Sequence, residues 1–228
     1  MLHDGALDAL GREIVDGRIT PGTVLTLDGI GRRFGVSRTV AREAMRVLES
    51  MRVITSRRRV GLVVRPADEW DVYDPRLIQW RLDGDRRDEQ LRTLTELRVA
   101  VEPAAAAAAA RRSGADVGAR LVALAAQLRA LGEAGRLGEF LAVDVEFHAL
   151  VLRASHNEMF AALSDVVAEV LAGRTTHGMM PPHPHEEALA AHEELAAAVA
   201  ARDAAAARAA SERIVREVAS ALDDRPAG

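Results

Sequence analysis

Residues 35–49 read GVSRTVAREAMRVLE, and this stretch decides the fold of the N-terminal third. Gly35 breaks whatever precedes it. Ser37 is a good helix N-cap, because its hydroxyl can take an orphan backbone N–H of the first turn. From there to about Met51, Val40, Ala44, Val47, Leu48 and Met51 recur at helical spacing. The opposite face carries Arg38, Arg42 and Arg46.

Working outward, residues 27–34 predict a short helix with Leu27, Ile30 and Phe34 inward, closed by Gly35. Before it, the turn Thr20–Pro21–Gly22 follows a helix over 4–17 whose apolar positions are Leu7, Leu10, Ile14 and Val15. After it, Val53–Ser56 and Leu62–Arg65 predict a β-hairpin with Arg57, Arg58 and Arg59 at its tip. Helix, short helix, tight turn, helix, hairpin is the order of a winged helix-turn-helix. In such a unit the second helix of the pair enters the major groove, where arginine grips guanine or phosphate. A set of three surface helices with an arginine-rich loop is the plainer alternative.

Charge supports the first reading. Over the whole chain the net charge is −4, yet residues 1–66 carry 12 arginines against seven acids, and the remainder is acidic. A basic head on an acidic body suits DNA binding joined to sensing. All 30 basic residues are arginine, which reads as a base-composition effect. The chain has 228 residues and no cysteine, excluding disulfides, thiolate metal sites and a cysteine nucleophile. Hydrophobic residues make up 49%, enough for a packed core. No run is long enough for a membrane span and the N-terminus does not read as a signal peptide, so a cytoplasmic location is expected.

Past Pro66 no strand pattern appears. Residues 67–87 read as a linker with a short helix at about 75–82. Helices then follow at roughly 88–112, 116–132, 136–155, 157–173, 185–201 and 203–222, with 224–228 as a tail. The expected fold is therefore mainly α: a winged helix-turn-helix over 1–66, a linker, and an all-helical domain over 88–223.

The stretch from Ile14 to Val64 resembles the DNA-binding domain of the GntR family of bacterial transcription regulators. The resemblance implies Arg38 and Arg42 as principal operator contacts, Ser37 and Thr39 as supporting ones, and Gly61 as the mark of the wing. Arg46, Arg57, Arg58 and Arg59 join them as basic groups on the same faces. Two departures stand out. Leu27, Asp28 and Gly29 lack the basic contact that members often carry there, and Arg59 stands where many have a wing-tip glycine.

The stretches LTELRVAVEPAAAAAAARR, DVEFHALVLRASHNEMF and AHEELAAAVAARDAAAARAA resemble the FCD ligand-binding domain of the FadR subfamily. The segment at 65–82 further resembles members that control sugar-acid catabolism, of the galactonate and gluconate type. Those domains often hold a divalent metal through one aspartate and three histidines. Asp144 and His148, at i and i+4, project from one side of a helix. The resemblance adds His192 and places the last histidine at Ile214, so the fourth ligand is missing. Carboxylate and imidazole suit zinc, nickel or manganese. Three ligands completed by an effector or water, or an organic acid bound without metal, both remain open. His183 and His185 read as loop residues.

Arg98 sits beside an apolar helix face and needs an anion. Glu102 one turn on, or the carboxylate of an effector, would serve. Asn157 is expected either to cap a helix or to reach the effector. The whole implies a homodimeric repressor of double-stranded operator DNA, released by a small carboxylate such as a sugar acid. An architectural DNA-binding protein with an unresponsive sensor is the alternative. A metal-dependent enzyme is a further one, but no general base accompanies the triad.

Overall fold

The computed structural model describes residues 2–223; the expected tail at 224–228 lies outside them. The chain divides into two compact units, Met1–Gln90 and Leu91–Gly228.

The first unit opens with α1 (Leu2–Val15), whose Leu7, Leu10 and Ile14 are buried as the spacing predicts. A two-residue strand, β1 (Val24–Leu25), precedes α2 (Leu27–Phe34). Thr26 caps α2 by accepting the Gly29 N–H at 3.1 Å. Gly35 ends it with φ of 65°, a left-handed conformation that costs most other residues roughly 1–2 kcal/mol. Then α3 (Arg38–Ser50) starts at Ser37, whose Oγ accepts the Val40 N–H at 3.2 Å. Its Ala41, Ala44, Met45 and Leu48 are buried.

The wing is β2 (Ile54–Arg57) and β3 (Gly61–Val64), shifted by one residue from the expected spans. The sheet order is β1-β3-β2, antiparallel throughout, with Val24 opposite Val63 and Arg57 opposite Gly61. Arg59 occupies the turn with φ of 65°, where glycine is the residue without a steric penalty.

Residues 67–87, expected as a linker, carry a 3-10 helix (Ala67–Glu69) and α4 (Pro75–Asp83). Asp74 caps α4 and Pro75 fills its first position, where a missing N–H costs nothing. Trp70, Leu77 and Trp80 are buried in the same core as α1 and α3. The indole N–H groups are satisfied: Trp80 donates to Asp8 Oδ1 at 3.1 Å and Trp70 to the Arg65 carbonyl at 3.0 Å. This stretch is thus part of the first unit's core.

All elements of the second unit are helices: α5 (Arg87–Arg112, which begins within the first unit), α6 (Ala115–Glu133), α7 (Leu137–Ala154), α8 (Glu158–Ala161), α9 (Ser164–Thr176), α10 (Glu186–Ala200) and α11 (Ala204–Asp223). The helix expected over 157–173 is broken. Leu163 N–H bonds back to Phe160 C=O in a tight turn, and the Ser164 hydroxyl donates to the Ala161 carbonyl, so the backbone bends between α8 and α9. The core joins Leu121, Leu124 and Leu128 of α6, Phe147 and Val151 of α7, Leu195 and Val199 of α10 and Ile214 of α11. Ala105 through Ala110 on α5 are all buried, small side chains that let neighbouring helices approach. Among the described residues, no helix is long and apolar enough to cross a membrane.

Candidate functional site

In the first unit, α3 presents Ser37, Arg38, Thr39, Arg42 and Arg46 to solvent. Arg38, Arg42 and Arg46 are spaced four residues apart and so share one helix face. A shallow groove runs beside them, bounded also by Ser56, Gly61 and Leu62 of the wing. Glu49 ties the two parts together, its Oε1 accepting the Ser56 N–H at 3.0 Å. Ser37 is already engaged as the cap, but its hydroxyl proton is still available to an acceptor. Among the described residues, Arg38 has only a long contact of 3.8 Å with Asp28, and Arg46 pairs with Glu43 at 2.9 Å. Arg57, Arg58 and Arg59 are exposed at the hairpin end.

In the second unit a cavity of about 40 Å³ lies among α5, α7, α9, α10 and α11. Asp144, His148 and His192 line it, all buried. His148 Nε2 is 3.4 Å from Asp144 Oδ1, and His192 Nε2 is 3.3 Å from the same oxygen. Among the described residues, Asp144 Oδ1 and His192 Nε2 have no hydrogen-bond partner. Tetrahedral zinc with bonds near 2.0–2.1 Å places neighbouring ligand atoms about 3.3–3.4 Å apart, so these separations suit such an ion.

The outer faces of both imidazoles are fixed. His148 donates its Nδ1–H to Glu102 Oε2 at 2.7 Å, and His192 donates its Nδ1–H to the Ala188 carbonyl at 2.7 Å. Each Nε2 therefore faces the common oxygen, the arrangement that orients ligating histidines. Phe147 packs edge-on against both rings.

Electrostatics couple the cluster. Burial alone would raise the Glu102 carboxyl, but Arg98 and His148 outweigh it and hold Glu102 at about 2. Burial would lower His148, but Glu102 and Asp144 outweigh it and raise the imidazole to about 9. Asp144 is likewise pulled well below the usual carboxylate range, by His148 and His192 against the effect of burial.

Arg98 gives its Nε–H to Glu102 Oε1. Its Nη1 and Nη2 are buried and, among the described residues, have no hydrogen-bond partner, and the residue lines the cavity. Glu102 thus satisfies one edge of the guanidinium and leaves the other free, so the two partners weighed for Arg98 are compatible. Ile214 lines the cavity at the position expected for a fourth ligand, and contributes no donor atom. Asn157, expected either to cap a helix or to reach the effector, is not among the lining residues. Its Oδ1 accepts the Met159 N–H at 3.0 Å and caps α8, which fixes it elsewhere. His183 lies in the loop, with Nδ1 3.3 Å from the Gly132 carbonyl.

Sequence reasoning did not identify the outer-sphere role of Glu102, nor Arg174 and Glu217 as lining residues. The i+4 spacing of Arg98 and Glu102 was a usable signal. For Arg174 there was none: an arginine in the last turn of a helix reads as a surface group near the helix dipole.

A winged helix-turn-helix with an exposed arginine face, followed by a helical bundle around a polar cavity, defines a DNA-binding regulator with a ligand-sensing domain. Residues 2–64 match the model for bacterial regulatory proteins of the gntR family, and residues 93–217 match that for the FCD domain. The chain belongs to the GntR family, in its FCD-domain branch. It is 29% identical over 168 residues to the galactonate operon transcriptional repressor of Escherichia coli, covering 73% of this chain and 72% of that one. It is also 29% identical over 164 residues to the E. coli HTH-type transcriptional regulator YieP, covering 72% and 71%. The solved structure of Lar, which controls the expression of the Listeria monocytogenes agr system, superposes with a TM-score of 0.62 at 17% identity, over 98% of this chain and 97% of that one. These domains and relatives are those of transcription regulators, not enzymes. FCD domains can hold metals, and the Asp144–His148–His192 cluster has a donor set that fits one.

Proposed function

We propose that this regulator is a cytoplasmic homodimeric repressor that leaves its operator when a small carboxylate, such as a sugar acid, enters the α5–α11 cavity. The observation that carries this reading is the pair of free, buried nitrogens on Arg98, in a cavity also lined by Asp144, His148 and His192. A buried guanidinium edge without a partner is costly, and a planar carboxylate satisfies it with two parallel hydrogen bonds.

Asp144, His148 and His192 would hold one divalent ion, zinc, nickel or manganese. When bound, that ion supplies positive charge to receive an acidic or hydroxyl oxygen at its open position. Ile214 leaves that position without a protein ligand. Arg98 orients the acid, Glu102 orients both Arg98 and His148, and the apolar wall excludes water. On the DNA side, Arg38 and Arg42 would read base edges, helped by Ser37, Thr39 and Arg46. Arg57, Arg58 and Arg59 would hold the backbone near the wing, with Gly61 permitting its turn. A two-fold dimer would read a pseudo-palindromic site. Linkage requires the acid to bind the operator-free state more tightly than the operator-bound one.

The test is a thermal-shift titration of metal-stripped protein with sugar acids and small carboxylates, with and without zinc. A ligand that binds the folded state raises the melting temperature. An acid that stabilises the wild type but not Arg98→Met supports the reading. Operator binding indifferent to every acid would favour the architectural alternative.

A further inference from the structure

Arg174 is the cation in the cavity that a single carboxylate at Arg98 leaves unused. It lies in the last turn of α9 and lines the same cavity as Arg98 of α5. Among the described residues, its side chain makes no hydrogen bond or ion pair. Glu217 of α11 lines the cavity too, yet forms no ion pair with it. Burial, and next the charge of Arg98, press the Arg174 guanidinium down to about 10. Two guanidinium groups therefore line one small cavity and repel each other, and each has hydrogen-bonding capacity to spare.

One carboxylate accepts a bidentate pair from one arginine fork. If it does so at Arg98, Arg174, half-buried at the same cavity, is left without a hydrogen-bonding partner. The acids already present offset its charge only at a distance: Asp144 and Glu217 both act on Arg174, yet neither bonds it. Glu102 is taken up by Arg98 and His148, and Asp144 faces the two histidines. We infer that the effector carries two acidic groups, and that Arg174 selects for the second. The ligand class is then a dicarboxylate or a phosphorylated acid, the shared chemistry being a second oxyanion. This rests on the proposed effector reading and narrows it.

The experiment is calorimetric titration of the full-length protein, zinc-loaded and metal-stripped, with acids paired by size. The pairs are succinate with butyrate, a six-carbon aldarate with its aldonate, and gluconate 6-phosphate with gluconate. In at least one pair the wild type should bind the two-acid member roughly tenfold or more tightly, the effect of a charged hydrogen-bonded pair. Which pair responds separates a second carboxylate from a phosphate. Arg174→Met should bring the members of that pair within about threefold, while Arg174→Lys keeps part of the preference. Unchanged zinc affinity and an unchanged circular dichroism spectrum in Arg174→Met exclude a collapsed site. Equal binding within every pair, or an equal loss for both members in Arg174→Met, would overturn the inference. If no acid of either kind binds, the effector reading itself falls, and this with it.

Discussion

Glu102 Oε2 accepts the Nδ1–H of His148 at 2.7 Å, one helix orienting the candidate ligand of another. The other oxygen of Glu102 takes the Nε–H of Arg98, so one carboxylate sets both the metal face and the acid face of the cavity. Outer-sphere partners of ligating histidines typically change metal affinity by about 10–100-fold. Glu102→Gln should therefore weaken zinc binding by about that factor, read by competition with a zinc chelator. Affinity within twofold of wild type would remove Glu102 from the metal site.

Ile214 occupies the position where a fourth ligand is expected, and it lines the cavity. Ile214→His should tighten zinc binding at least tenfold and blunt the response to acid, because it closes the open position. Both are read by titration. Zinc affinity that is unchanged would mean that residue 214 does not face the ion.

The metal-stripped protein should show a defined pH profile. His148 is raised from 6.5 to about 9, so its contribution to stability is full below about 6.5 and is lost as pH rises through about 9. Glu102 is lowered from 4.5 to about 2, so its contribution is present above about 4.5 and is lost as pH falls toward 2. The melting temperature should peak between about pH 4.5 and 6.5. Zinc needs the His148 Nε2 lone pair and competes with a proton, so the zinc-induced rise in melting temperature should grow from pH 6 to 9. A zinc increment independent of pH contradicts this.

Arg42 is exposed on α3 and, among the described residues, makes no ion pair, so Arg42→Ala should leave stability within about 0.5 kcal/mol. It should weaken specific operator binding by about 1–3 kcal/mol, measured by fluorescence anisotropy on operator duplexes. Arg58→Ala should instead weaken binding to all sequences and reduce the salt slope by about one. An Arg42→Ala variant with wild-type affinity would show that α3 does not read the bases.

Gly11 of α1 lies beneath Trp80 of α4. A Cβ at Gly11 would stand 2.3 Å from the indole ring. In a helix, Gly→Ala ordinarily stabilises by about 1 kcal/mol. Here overpacking of a buried ring, about 1–3 kcal/mol, should win, and Gly11→Ala should lower the melting temperature. A rise would mean that Trp80 can swing away.

The winged unit was legible because its punctuation is local. Ser37 as N-cap, Gly35 as helix stop and the arginine-tipped hairpin all act within a few residues. β1 was not legible: two residues have no periodicity, and their pairing is supplied by β3, nearly 40 positions later. Trp80 looked like a linker aromatic because its burial depends on α1 and Asp8, which are remote in sequence. In the second unit the spacing of Asp144 and His148 was readable, but the approach of His192 came only through resemblance. Glu102 was visible as a partner for Arg98, yet its second contact is with a residue 46 positions away. Arg174 faces inward only because the bundle closes around it.

The most direct test of the account is the release of DNA by acid. Operator duplexes selected by the protein from a random-sequence pool would be bound at fixed salt, then titrated with the acid panel in the presence and absence of zinc. The account predicts a two-fold symmetric selected site. It also predicts that at least one acid dissociates the complex in the wild type but not in Arg98→Met, with zinc lowering the acid concentration required. A complex that forms equally well in every acid, with or without zinc, would contradict it.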